Sequence, residues 1–246
     1  MSTRALELAA RTMTVLAALV VLGGGLFWLA QRPWFAIKRI EVHGDLYHVT
    51  GSAIAAALRG KLRGNFFSLP LDEARRVFDS LPWVASASIR RSWPDRLVVS
   101  LTEHRPLGQW DDGRLLSEAG RLFIANSAEA ELHGPLIDFA GPERLAAQAA
   151  QRYFEFAPLL APVALELEGV KVSERDAWSL RTRGANGPVH IELGRDEPPG
   201  RLRVQVDTVV AAYPDLVARS PAPIARIDAR YANGLAVAPT TRPRKP

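Results

Sequence analysis

The sequence predicts an α+β protein: two folded segments behind a single N-terminal transmembrane helix. Three observations carry this. Residues 13–30 read MTVLAALVVLGGGLFWLA and hold no charge. Residues 35–106 order themselves as strand, helix, helix, strand, strand. Residues 107–237 then alternate in short strands broken by turn residues, with two helical stretches among them, as expected of a β-rich antiparallel domain.

The apolar run comes first. About 18 residues rising about 1.5 Å each nearly match a bilayer core of about 30 Å, and inside lipid only a helix satisfies its own backbone. Arg11 closes one side and Gln31-Arg32 the other, while Trp28 and Trp34 stand where headgroup-level aromatics stand. A cleaved signal peptide is the rival reading. It wants small residues at the last and third-last positions of its site, and with Ala30 last the other position is Trp28. The expectation is therefore an uncleaved anchor at 13–30 with a cytoplasmic tail at 1–12. Arg4 and Arg11 before the run nearly balance Arg32, Lys38 and Arg39 after it. Long domains translocate largely regardless of such charges, which places the rest outside the cytoplasm.

The 246 residues contain no cysteine, which excludes disulfides, cysteine-ligated zinc and a thiol nucleophile. The net charge of +5 is spread along the elements rather than clustered with aromatics. That favours solvated faces near an anionic membrane over nucleic-acid binding.

In the first segment, Ile37–Gly44 reads as a strand. Thr50 caps a short helix, Val49 and Ile54 have staple spacing, and Gly60 stops it. A second helix opens at Pro70, with Asp72 and Glu73 at its positive end and Leu71, Ala74, Val77, Phe78 and Leu81 on one face. Ala85, Ala87 and Ile89 point inward on the next strand, and Leu97, Val99 and Leu101 on the one after. Ser92-Trp93-Pro94-Asp95 turns between them.

The run Leu81–Pro106 resembles the POTRA domain of the FtsQ (DivIB) cell-division family. Trp93-Pro94-Asp95-Arg96-Leu97-Val98-Val99, then Glu103 and Pro106, follow its pattern W-P-(D/N)-x-(L/I)-x-V…E-x-x-P, and Asn65-Phe66-Phe67 fits upstream. Trp83, Trp93, Pro94, Asp95, Glu103 and Pro106 are read as structural residues of turns and packing. Glu103, His104 and Arg105 are read as a solvated charge cluster at a domain exit.

In the second segment, Trp110–Leu116 is a hairpin around Asp112-Gly113, and Glu118–Phe123 repeats the signal. Gly134-Pro135 and Gly141-Pro142 punctuate a loop. Leu145–Leu160 is a helix that Pro158 ends. Val163–Leu167 and Val170–Val172 are separate apolar runs. Trp178–Thr182 and Val189–Leu193 form a hairpin through Gly184-Ala185-Asn186-Gly187. Asp196–Pro199 opens a helix with the face Leu202, Val206, Val209, Val210 and Tyr213. The last main strand is Pro223–Tyr231, with Ala225, Ile227, Ala229 and Tyr231 on one face and Arg226, Asp228 and Arg230 on the other. Leu235–Val237 adds a short strand, and 238–246 is a disordered tail.

No metal-ligand spacing, Walker loop, G-x-S-x-G elbow or H-E-x-x-H occurs, and His43, His48, His104, His133 and His190 fall in different elements. Periodicity alone makes Pro223–Tyr231 an internal strand. The resemblance implies otherwise: in the family the C-terminal strand region binds FtsB by strand addition, and FtsL joins through FtsB. Carried onto this chain, the partner-binding residues are Arg226, Asp228, Arg230, Tyr231, Ala232 and Gly234. Arg230 would meet an acidic group and Tyr231 would be an aromatic anchor. Ala238-Pro239 stands where some relatives carry a tryptophan. The resemblance thus implies a non-enzymatic divisome scaffold, without cofactor or metal. It would sit in the inner membrane at the septum, with its folded domains in the periplasm. The alternatives are a POTRA accessory protein of outer-membrane assembly or secretion, and an anchored cell-wall enzyme.

Overall fold

The computed structural model describes residues 3–30, 33–44, 46–61, 64–132, 134–231 and 234–239, arranged as two compact units, 1–103 and 104–246.

The first unit opens with helix α1, Thr3–Ala30, 28 residues long. Every side chain from Arg11 to Gly25 is exposed, although the stretch is apolar on all sides. Among the described residues no helix is long and apolar enough to cross a membrane. The expected span over 13–30 is thus not met among them, and the helix starts well inside the expected tail.

After a 3-10 turn at Pro33–Phe35 come β1 (Arg39–His43), α2 (Gly51–Leu58), α3 (Leu71–Asp79), β2 (Val84–Ser92) and β3 (Arg96–Glu103). The sheet order is β1-β3-β2, with β1 parallel and β2 antiparallel to β3. Thr50 caps α2 as expected, its hydroxyl accepting the Ala53 N–H at 3.2 Å. Ile54 of α2 and Phe78 of α3 meet Val84, Ala87, Val99 and Leu101 in one core. Two details differ from expectation. Pro70 is the cap residue before α3 rather than part of its first turn, and the helix ends at Asp79, leaving Leu81 in the following turn. A bulge between Val84 and Ser86 shifts the register, so Val84 is buried in place of Ala85.

The second unit contains β4 (Pro106–Trp110), β5 (Leu115–Ser117), β6 (Leu122–Phe123), α4 (Ser127–Glu131), β7 (Ile137–Ala140), α5 (Ala146–Leu160), β8 (Glu166–Val172), β9 (Trp178–Gly184), β10 (Gly187–Gly194), α6 (Arg201–Arg219), β11 (Ile224–Asp228) and β12 (Ala236–Pro239). Its nine strands run β12-β11-β10-β9-β8-β7-β4-β5-β6. The expected hairpins form: β4-β5 with Gly113 at φ +88, β5-β6 with Gly120 at φ +75, and β9-β10 with Gly187 at φ +119.

The sheet is mixed rather than antiparallel. β4-β7, β7-β8 and β10-β11 are parallel pairs. The physical reason for the last two is the helix between them: α5 and α6 each carry the chain back to the end from which the preceding strand started. Phe156 and Leu160 of α5 join Leu202, Val206 and Val209 of α6 over Leu180, Ile191 and Ile227 of the sheet.

β7 lies where the sequence suggested only a loop; five residues between two Gly-Pro pairs are too few to show alternation, yet Phe139 is buried. The two apolar runs around Leu167 and Val170 are one strand, β8, broken in register by a bulge between Leu167 and Gly169. Pro158 lies inside α5 rather than ending it. An interior proline costs about 3 kcal/mol. The complete burial of Phe156 and Leu160 on either side offsets it, at about 1.5–3 kcal/mol each.

Candidate functional site

The C-terminal edge of the nine-stranded sheet begins with β10. β11 lies parallel to it, with Ile191 opposite Ile227 and Glu192 opposite Asp228. Ile227 is fully buried under α6, which fixes the register, because a slip by one residue would turn it to solvent. β11 ends at Asp228, three residues before the expected end at Tyr231. Beyond it the chain is still held: Ala229 N–H donates to the Glu192 carbonyl at 2.8 Å, Gln205 Nε2 to the Ala229 carbonyl at 2.8 Å, and Arg201 Nη2 to the Arg230 carbonyl at 2.8 Å.

Arg226, Asp228 and Arg230 do share the outer face. Arg226 Nη2 donates to Glu192 Oε1 at 3.0 Å. Arg230 forks onto Asp228, Nε to Oδ1 at 2.8 Å and Nη2 to Oδ2 at 2.6 Å. That guanidinium hydrogen bond holds the Asp228 carboxyl below the usual range, and Asp228 in turn pushes Arg230 up. Arg230, expected to await an acidic partner, already spends one edge within the chain. Tyr231 does not share the buried face of Ile227 and Ala229. The strand has ended before it, and its ring is 62% exposed. Gly234 is exposed in the turn to β12, and Ala232 lies outside the described residues.

β11 is not the edge. β12 pairs antiparallel along its far side, with Ile227 opposite Val237 and Asp228 opposite Ala236. The outermost strand is therefore Ala236–Pro239, exposed along its whole length. Its second rim is an unpaired ladder edge onto which another extended chain can add. Its last residues fall in what the sequence suggested as disordered tail; 240–246 lie outside the described residues.

The motif residues of the first unit do structural work, and one was misread. Trp93 is exposed at the β2-β3 turn, beside half-buried Pro94. The buried Asp95 accepts the Lys38 N–H on its carbonyl at 2.9 Å, joining the turn to the start of β1. Glu103 is not part of a solvated cluster. Its buried carboxylate accepts N–H groups from Tyr47 at 3.1 Å, His48 at 3.1 Å and Val49 at 2.7 Å, and contacts His48 Nδ1 at 3.0 Å. The His48 ring stacks on buried Trp83 at 3.7 Å. Burial pushes Glu103 up, but the donation from Val49, His48 and Tyr47 outweighs it and holds the carboxyl below the usual range. Nothing in the sequence marked Tyr47, His48 and Val49 as partners of Glu103, because a carboxylate collecting backbone N–H groups across about 55 residues leaves no local pattern. Pro106 opens β4 in the second unit.

A cavity of about 490 Å³ on the open face of the larger sheet is lined by Asp138, Lys171, Ser179, Arg181 and His190, among others. Asp138 is engaged by Arg181, and no hydrogen bond joins Ser179 to His190 among the described residues. The face is a lattice of cross-strand ion pairs, Arg181 and Arg183 with Glu168 among them. No group of metal-ligating side chains occurs among the described residues.

Comparison with known proteins agrees with this two-unit division. A profile described as POTRA domain, FtsQ-type, matches residues 35–104, and one described as Cell division protein FtsQ/DivIB, C-terminal, matches 108–230. Among curated proteins, Cell division protein FtsQ of Burkholderia pseudomallei is 41% identical over 95% of this chain and 92% of its own length. That of Bordetella pertussis is 35% identical over 96% and 91%. That of Xanthomonas campestris pv. campestris is 34% identical over 94% and 78%.

Proposed function

As the chain belongs to the FtsQ/DivIB family of cell division proteins, we propose that it is a non-catalytic scaffold of the divisome that recruits FtsB, and FtsL through FtsB, at the outer edge of β12. α1 is its anchor in the inner membrane, the tail before it is cytoplasmic, and both folded units stand in the periplasm at the septum. The first unit is its POTRA domain.

The observation that carries this reading is the free rim of β12 beside exposed Tyr231, on a platform that α6 holds rigid through Arg201 and Gln205. Main-chain pairing along Ala236–Pro239 supplies affinity without sequence demands. Tyr231, and the edge of Arg230 that faces away from Asp228, supply specificity. The exposed apolar side chains of α1 need a lipid environment, since no water-exposed helix is stable with apolar residues on every side.

The test is binding of purified FtsB to the full chain. Tyr231→Ala and Arg230→Glu are expected to weaken binding at least tenfold with thermal unfolding unchanged. A chain ending at Leu235 lacks β12 and is expected to lose binding. If it binds FtsB as the full chain does, the partner sits on β11 and the β12 site is overturned. Depletion in the host is expected to give unseptated filaments with normal outer-membrane proteins. Normal septation would refute the division scaffold.

A further inference from the structure

We propose that the end of the first unit nearest α1 lies on the membrane surface, with its aromatic side chains in the headgroup layer and its basic side chains on anionic phospholipid. This rests on the reading of α1 as an anchor and adds a second, peripheral contact.

Three aromatic side chains that a soluble domain would cover are exposed here: Trp34 77%, Phe67 53% and Trp93 73%. They come from three separate loops, and the fold brings those loops to one end. Phe66 N–H donates to the Phe35 carbonyl at 2.8 Å, and the Phe35 and Phe67 rings meet edge to face at 5.1 Å. Lys38 N–H donates to the carbonyl of Asp95, two residues from Trp93. Amphipathic rings gathered this way match the aromatic belt that membrane proteins place at headgroup depth.

The charge around them has the sign that an anionic leaflet attracts. Lys38, Arg39, Arg59 and Lys61 are exposed, and Arg59 lines the same groove as Ala36 and Lys38. Asp72 and Glu73 at the start of α3 are exposed carboxylates that Arg75 and Arg76 follow at once, and the partly exposed Glu41 is paired with Arg96 at 2.9 Å. Asp95 is buried, and its Oδ1 lies 3.5 Å from Nη2 of exposed Arg39, so it offsets part of that one charge. The covalent path fixes the position. Phe35 is five residue steps from Ala30, so this end stands within ~18 Å of the end of α1 even if the link is fully extended. An apolar belt plus a basic patch is the pairing of signals that makes peripheral contact durable.

The absence of cysteine makes the test direct. The full chain is placed in vesicles of phosphatidylethanolamine with phosphatidylglycerol, with an environment-sensitive fluorophore on Phe67→Cys, Trp93→Cys or Thr102→Cys. Thr102 is exposed near the other end of β3, about 20 Å from Arg96. Quenching by headgroup-labelled lipid at least threefold stronger at 67 and 93 than at 102 is expected. That contrast should collapse on Lys38→Glu with Lys61→Glu, or in wholly phosphatidylcholine vesicles. Equal quenching at the three positions, in chains that still float with the vesicles, overturns the surface contact and leaves the anchor standing. Quenching contrast that survives both the charge reversal and the neutral vesicles overturns the anionic-lipid assignment. Blue-shifted probes at 67 and 93 in detergent without lipid would show a second protein copy on the patch and overturn it too. Chains that fail to float refute the anchor itself.

Discussion

The two units solve the same problem at different sizes. The first lays two short helices on three strands, and its core cluster at Ile54, Phe78, Val84, Ala87, Val99 and Leu101 is small. The second lays α5 and α6 on nine strands over a much longer apolar seam. A small unit buries a smaller share of its surface, so each of its contacts carries more of its stability. The first unit adds a polar clamp where apolar area runs short: Glu103 ties the 47–49 loop to the end of β3. The second unit carries cross-strand ion pairs on its open sheet face, among them Arg183–Glu168 and Arg226–Glu192, where they set register more than stability.

Matched truncations break this comparison most sharply. Phe78→Ala and Phe156→Ala each remove a fully buried ring at a cost of about 3–5 kcal/mol. The first is expected to unfold its unit, while the second leaves the larger unit folded with a lowered midpoint. Hydrogen exchange resolved along the chain separates them, and equal loss of protection in both units would end the argument from size.

The next effect belongs to backbone approach. A Cβ at Gly108 would stand 2.0 Å from the Ile137 carbonyl oxygen, across the parallel β4-β7 pair. Gly108→Ala is expected to cost about 3 kcal/mol, read as a lowered urea midpoint for the second unit with no change in the first. This glycine, not core size, is where the larger unit is fragile.

Glu103→Gln comes third, at about 2–3 kcal/mol, since a buried charged acceptor of several backbone N–H groups is replaced by a neutral one. The first unit should melt on the order of 10 °C lower. The pH dependence has a definite sign. The folded carboxyl titrates below its unfolded value of about 4.3. Its contribution is therefore complete above that value and is lost as pH falls through the folded one. The wild-type clamp should open in acid, seen as falling protection factors (exchange corrected for its intrinsic pH dependence) at the Tyr47, His48 and Val49 amides. In Glu103→Gln those protection factors should be low already at neutral pH and nearly flat with acid.

The smallest effect is expected in the second unit, at the Arg230–Asp228 pair, whose guanidinium is exposed. Asp228→Asn should leave its melting temperature unchanged within error, while releasing both edges of Arg230 to a partner carboxylate. Stronger FtsB binding is the result to look for, and a clear drop in melting temperature would show that the fork is structural.

What the sequence determined by itself were the features written in neighbouring residues. The Thr50 cap, the Gly113 and Gly187 turns, the alternation of Leu97, Val99 and Leu101 and the face Leu202–Tyr213 all depend on local backbone geometry and a repeat of two or 3.6 residues. The W-P-D run likewise marked the family before any contact was known. Only the tertiary structure decided which strands neighbour which. It paired β12 outside β11 and moved the edge from Pro223–Tyr231 to Ala236–Pro239. It made the sheet mixed, inserted β7 from four residues, and turned Glu103 from a presumed solvated charge into a buried clamp. The reason is the same in each case. Strand order and buried polar partners are set by groups tens of residues apart that compete for the same ladder or the same N–H donors, and hydrophobic period along one strand carries no record of its neighbour.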